Sequence, residues 1–105
     1  MIARMWRGTT VPAEADRYAA YLDATGVAAC HTTPGNRGVV VLRRDRGDRS
    51  EFTFISYWED AEAVRRFAGP DPDTAVFDPE DDRYLVERET RVTHWEVERA
   101  DILAA

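Results

Sequence analysis

The chain has 105 residues, a formal net charge of -6 and a pI near 4.8: one domain with room for its own core, too acidic to hold nucleic-acid phosphates through a basic surface. Hydrophobic residues at 44% and charged ones at 32% describe an ordinary globular protein, and no apolar run approaches the ~20 residues of a membrane span. Cys30 is the only cysteine, which excludes an intrachain disulfide and a cysteine metal cluster.

Taken in order, Ile2 to Gly8 is short and rich in large apolar residues, which suits a strand with Ile2, Arg4 and Trp6 on one face and Ala3, Met5 and Arg7 on the other. Thr9 to Pro12 predicts a helix start, with a hydroxyl as N-cap and proline in the first turn. Val11, Ala15, Tyr18 and Leu22 form the inward stripe of that helix, and Gly26 is expected to end it. Val27 to Thr33 then leads toward a second strand, broken or bulged by Thr33, Pro34, Gly35 and Asn36.

Val39 to Leu42 and Phe52 to Trp58 are nearly continuous apolar runs joined by a turn at Arg46, Gly47 and Asp48. A strand with one wet face should alternate, so both faces of this hairpin call for cover. The chain's own helices supply one side, and a second copy of the chain is the simplest supplier of the other. Asp60 is the predicted N-cap of the next helix. Glu62 in its first turn and Arg65 and Arg66 in its last agree with the helix dipole, Val64, Phe67 and Ala68 face inward, and Gly69 with Pro70 stops it. Pro70 to Glu80 reads as a loop with at most a short helix near Thr74 to Phe77, and Asp81 to Leu85 as one more helical turn. Thr90 to Glu98 is the expected last strand, with Thr90, Val92, His94 and Glu96 in one row.

Strand, helix, strand, strand, helix, strand is the ferredoxin-like split βαβ order: an α+β domain over residues 1–98, a four-stranded antiparallel sheet with two helices on one face, followed by a tail over residues 99–105. The bare sheet face would be too large an apolar patch for a monomer, which predicts a homodimer joined sheet to sheet.

The opening MIARMWRG, the helix DRYAAYLDATG, TPGNRGVVVLRR, the unit EFTFISYWEDAEAVRRFAG, FDPEDDRYLVE and the closing VTHWEV together resemble the antibiotic biosynthesis monooxygenase family of the dimeric α+β barrel superfamily. The resemblance implies a small homodimeric enzyme like the cofactor-independent monooxygenases that oxidise aromatic or polyketide-like metabolites with O₂, without a bound cofactor. A non-redox cyclase or isomerase on the same scaffold, and a non-catalytic dimer that binds small hydrophobic ligands, stand beside it. Haem-degrading members typically carry an Asn on the first strand, a Trp near the end of the second helix and an axial His about ten residues later. Aligned through Trp58 and the helix after it, those positions hold Trp6 or a neighbour, Phe67 and Phe77, which disfavours haem.

Cofactor-free oxygenation needs a base, a group to hold the substrate anion, and aromatic walls. His94 is the candidate base, since an imidazole titrates near neutrality, and Arg4 is the candidate anion holder, since Arg on a covered strand face needs a carboxylate or an anionic ligand. If the His94 row faces the helices, it shares a cavity with Arg4 and Trp6, walled by Phe67, Phe77 and Tyr84. A structural imidazole for His94, and an ion pair of Arg4 with Glu96 or an acid of the partner, are the competing readings. His31 is expected on strand-like chain as a structural residue. The acids from Asp71 to Asp82 lack the glycine and ligand spacing of a calcium loop, so no metal site is expected. MIARMWRG lacks a hydrophobic signal region, from which a cytoplasmic address is expected.

Overall fold

The computed structural model describes residues 1–102. Strands β1 (Ile2–Thr10), β2 (Asn36–Arg46) and β3 (Arg49–Trp58) and helices α1 (Ala15–Leu22), α2 (Ala28–Thr32), α3 (Ala61–Ala68) and α4 (Asp81–Tyr84) are joined by two short outer strands, β4 (Glu87–Arg88) and β5 (Thr93–Glu96). The sheet runs β2-β3-β1-β4, and β5 also pairs with β1. All pairings are antiparallel, so β4 and β5 act as one interrupted fourth strand along the outer edge of β1. The fold is the ferredoxin-like α+β arrangement, with the helices on one face.

Register decides which residues meet. Arg4 lies opposite Ser56 on β3 and His94 on β5, Trp6 opposite Phe54, and Gly8 opposite Phe52. Directly paired residues point to the same side, so Ile2, Arg4, Trp6 and His94 share the helix-covered face. The alternate row of β3, Phe52, Phe54, Ser56 and Trp58, is buried beneath Ala15, Tyr18 and Leu22 of α1, Cys30 of α2, and Ala63 and Val64 of α3. The opposite face carries Ala3, Met5, Val40, Leu42, Ile55, Tyr57 and Trp95, with Trp95 56% and Leu42 51% exposed. Within one chain the apolar hairpin is covered on one side alone: one face is the core and the other is open.

Several local expectations change. β1 runs on to Thr10, whose hydroxyl bonds the Val11 carbonyl instead of capping a helix, and Val11 itself is exposed. Gly26 does not end the first helix. Its backbone is not left-handed; it sits in a π-turn, Asp23–Val27, that carries the helix on through α2. A Cβ on Gly26 would come 3.1 Å from the Phe54 ring, so the glycine permits a close approach of helix to sheet. The helix ends at Thr33, in the extended conformation that a following proline favours. His31 is therefore on an exposed helical surface, not on strand-like chain. Thr74 to Phe77 is not helical: Thr74 bridges Arg91, and the Ala75 amide donates to the Thr90 carbonyl. The expected strand from Thr90 shortens to Thr93–Glu96, because residues 89–92 bond to β1 and to this loop by turns.

Other local chemistry is as read. Gly47 at φ +61 takes the first position of the two-residue hairpin turn, and the β2 register shifts between Asn36 and Gly38. Asp60 accepts a 2.9 Å bond from the Ala63 amide at the start of α3, and Gly69 at φ +86 closes that helix. Residues 99–102 form no regular element, and the last three residues of the expected tail lie outside those described.

Candidate functional site

Between the helix-covered face of β1 and β3, the α1 to α2 helix and the loop after α3 lies a narrow cavity of about 60 Å³. By that measure a water needs ~10–15 Å³, so the space holds a handful of waters. Trp6, Phe54, Phe67 and Phe77 supply aromatic wall, Leu22, Thr25 and Gly26 line it from the helix, and Ala75 to Asp78 line it from the loop. The Trp6 and Phe77 rings meet edge to face at 6.0 Å, and the Trp6 indole N–H donates to the Glu89 carbonyl at 2.7 Å.

Arg4 enters the cavity from β1 and is 4% exposed. It makes no contact with a carboxylate among the described residues. Its Nη1 donates to the Pro72 carbonyl and faces His94 Nε2 at 3.1 Å, and its Nη2 donates to the Thr74 carbonyl at 2.9 Å. Its Cζ lies over the Phe67 ring, 5.8 Å from the ring centre. Burial lowers the Arg4 pKa, and a guanidinium nonetheless stays charged at any ordinary pH. Of the competing readings for Arg4, the ion pair with Glu96 is not formed.

His94 stands behind Arg4 and outside the cavity lining. Its Nδ1 is 3.2 Å from Asp73 Oδ1, and an imidazole between an arginine and a carboxylate has one consistent neutral arrangement. Nδ1–H donates to Asp73, and Nε2 accepts from Arg4. Burial, reinforced by the Arg4 charge, holds its pKa below the usual value, so the neutral form prevails at pH 7.

Of the residues singled out in the sequence, Arg4, Trp6, Phe67 and Phe77 converge on the cavity, with His94 bonded to Arg4. Tyr84 does not reach it: its ring packs with Tyr21 at 5.3 Å and Tyr18 at 5.6 Å. Sequence reading missed Ser56, Tyr18 and Asp81. Asp81, 6% exposed, lines the cavity, and its Oδ2 accepts from the Asp78 amide at 2.6 Å. Burial raises its pKa. The Tyr18 phenol lies against it, and burial first and the Asp81 charge second raise the Tyr18 pKa. The available signal was the three-residue step from Asp78 to Asp81, a spacing at which a carboxylate reaches back to a turn amide. Cys30 is fully buried, its thiol pushed up to about 12 by desolvation, so it is no nucleophile.

Haem does not fit this donor set. No histidine lines the cavity, His94 Nε2 is engaged by Arg4, and His31 is exposed on the helix; no group of three or more metal-ligating side chains occurs among the described residues.

A family model described as antibiotic biosynthesis monooxygenase matches residues 1–71. No curated protein matches the chain. Among solved structures, a Bacillus cereus protein described as a candidate antibiotic biosynthesis monooxygenase superposes with a TM-score of 0.67 at 14% identity, covering 97% of each chain. The haem degrader MhuD from Mycobacterium tuberculosis, with two haems in its active site, superposes with a TM-score of 0.59 at 20% identity, over 96% of this chain and 99% of that one. A mutant of MhuD with two manganese protoporphyrin IX molecules per active site gives 0.60 at 21% identity, over 99% and 100%. These likenesses establish a shared fold.

Proposed function

The chain belongs to the antibiotic biosynthesis monooxygenase family, and from that premise we propose that it is a homodimeric, cofactor-independent monooxygenase acting on a small aromatic or polyketide-like metabolite. The observation that carries the reading is Arg4: a buried guanidinium with no carboxylate in contact, at one end of an aromatic-walled cavity. A buried charge that meets Asp73 only through His94 is costly, and an anionic ligand in direct contact lowers that cost. Three of its five N–H groups are engaged among the described residues, which leaves two for a substrate oxyanion.

The chemistry needs no outside reductant. An anthrone-type methylene loses two hydrogens, one oxygen atom of O₂ becomes the new carbonyl, and the other leaves as water; the substrate supplies all four electrons. Arg4 holds the oxyanion formed on deprotonation. His94, neutral and oriented by Asp73, stands outside the cavity lining and takes the proton through one bridging water once the Arg4 Nη1–H releases Nε2. Trp6, Phe67 and Phe77 exclude water from the carbanion. A fused tricyclic substrate exceeds the space of about 60 Å³, so the Ala75 to Asp78 segment moves outward to admit it.

The test is O₂ consumption with anthrone or a substituted quinol, with no metal or flavin added. Protein-dependent uptake that falls by at least about 100-fold in Arg4→Met and His94→Ala is the expected result. Absence of uptake with every such substrate removes the monooxygenase. A second reading, ligand binding without turnover, draws on the fact that the His94 lone pair is already taken by Arg4. Ligand affinity without product, aerobically and anaerobically, would select it.

A further inference from the structure

The cavity has polar groups at both ends. Arg4 and Ser56 share one rung of the sheet, and Gly8 and Phe52 share another four residues along β1, about 13 Å away at the rise of a strand. Over that far rung sits Tyr18, edge to face on Phe52 at 5.1 Å, with its phenol against Asp81. Arg4, Tyr18 and Asp81 all line the same cavity, and the apolar side chains of Trp6, Phe54, Phe67 and Phe77 lie among them.

Resting on the assignment of Arg4 as the anion-holding end, we propose that Asp81 and Tyr18 are specificity-determining residues that bind a hydroxyl group at the far end of the substrate. The selected ligand class is a flat phenolic compound with an anionic oxygen at one end and a hydrogen-bond-donating hydroxyl at the other. Asp81 is suited to this by what surrounds it. It is nearly buried, its one amide donor is Asp78, and the basic group closest in influence, Arg88, is bonded to Asp82 and lies over the Phe77 ring. A carboxylate so placed gains from a further donor, and a hydroxyl bonded to an ionised acceptor makes one of the stronger hydrogen bonds available. A ligand without that hydroxyl leaves desolvated Asp81 with the Asp78 amide and the Tyr18 phenol as its donors, one fewer than the hydroxylated ligand gives it, and a buried polar site rejects an analogue in this way.

Cinnamate and 4-hydroxycinnamate are matched probes: both carry a carboxylate for Arg4, and they differ by the hydroxyl alone. Calorimetric titration of the full chain at pH 7 is expected to show 4-hydroxycinnamate binding at least about tenfold more tightly than cinnamate. That ratio should fall to near one in Asp81→Ala and at least severalfold in Asp81→Asn, which keeps the side-chain volume and a neutral acceptor should the alanine variant fail to fold. Tyr18→Phe should lower it as well. Equal affinities in the unaltered protein, or an undiminished ratio in Asp81→Asn, overturn the proposal while leaving the anion-binding role of Arg4 standing. Failure of both probes to bind the unaltered protein overturns that role and this inference together.

Discussion

The Arg4–His94–Asp73 chain couples one titratable imidazole to the loop that closes the cavity, because Arg4 also holds the Pro72 and Thr74 carbonyls. His94 is held below its ordinary pKa by burial and then by Arg4, against the weaker opposing pull of Asp73. Unfolding restores an imidazole that titrates near ~6.5. The unfolded chain therefore binds the proton first as the pH falls. Stability owed to neutral His94 is complete above about pH 6.5 and is lost as the pH drops below that through the folded value. Asp45, Glu51 and Asp71 have lowered values and titrate further into the acid range. The urea midpoint is thus expected to fall between pH 7 and pH 5, and to fall less in His94→Gln, which keeps a donor and an acceptor but takes no proton. Identical declines would place the sensitivity on another group.

At the scale of an element, β1 carries a glycine in mid-strand for a packing reason. A Cβ on Gly8 would stand 2.5 Å and 2.8 Å from two atoms of the Trp6 indole and 3.1 Å from Leu85, so the missing side chain gives the Trp6 ring its place beside β4. Gly8→Ala forces the indole to turn and breaks its bond to Glu89, at an expected cost of about 1–3 kcal/mol in urea unfolding. Ligand affinity should fall with it, since Trp6 is cavity wall. An alanine variant as stable as the parent would show that the indole has another resting position. The same lesson applies to the first helix. Gly26 read as a terminator because glycine suits a left-handed cap, whereas here it thins the helix against Phe54 at a π-turn. Only the position of a ring on another strand distinguishes the two uses.

For the molecule as a whole, the open sheet face sets the expectation. Trp95, Leu42, Tyr57, Ile55, Val40 and Met5 point away from the helices, and on an isolated chain they make a contiguous apolar surface of the kind soluble proteins rarely leave uncovered. A second copy placed sheet to sheet is the proposed cover. Sedimentation at micromolar concentration should show a dimer, and the double variant Ile55→Asp, Trp95→Asp should be monomeric, since two carboxylates per chain would otherwise be buried unpaired. A monomer in the unaltered protein removes the proposed dimer and leaves the cavity intact, because its lining comes from one chain. No described helix is long and apolar enough to cross a membrane.

Local chemistry in the chain was sufficient for the succession of strands and helices, the hairpin turn at Gly47, the Asp60 cap and the shared row of Ile2, Arg4 and Trp6, since each depends on residues close in sequence or on a period of two. It also sufficed to mark Arg4 as unusual, because a guanidinium in an apolar strand conflicts with its surroundings wherever the strand ends up. Tertiary structure alone decided what Arg4 faces, that Asp81 is buried while its acidic neighbours are solvated, and that Tyr84 stands behind the cavity. Those outcomes depend on where the loop after α3 crosses the sheet. That path is set by long-range bonds to Thr90, Arg91 and Arg4, which no local period encodes.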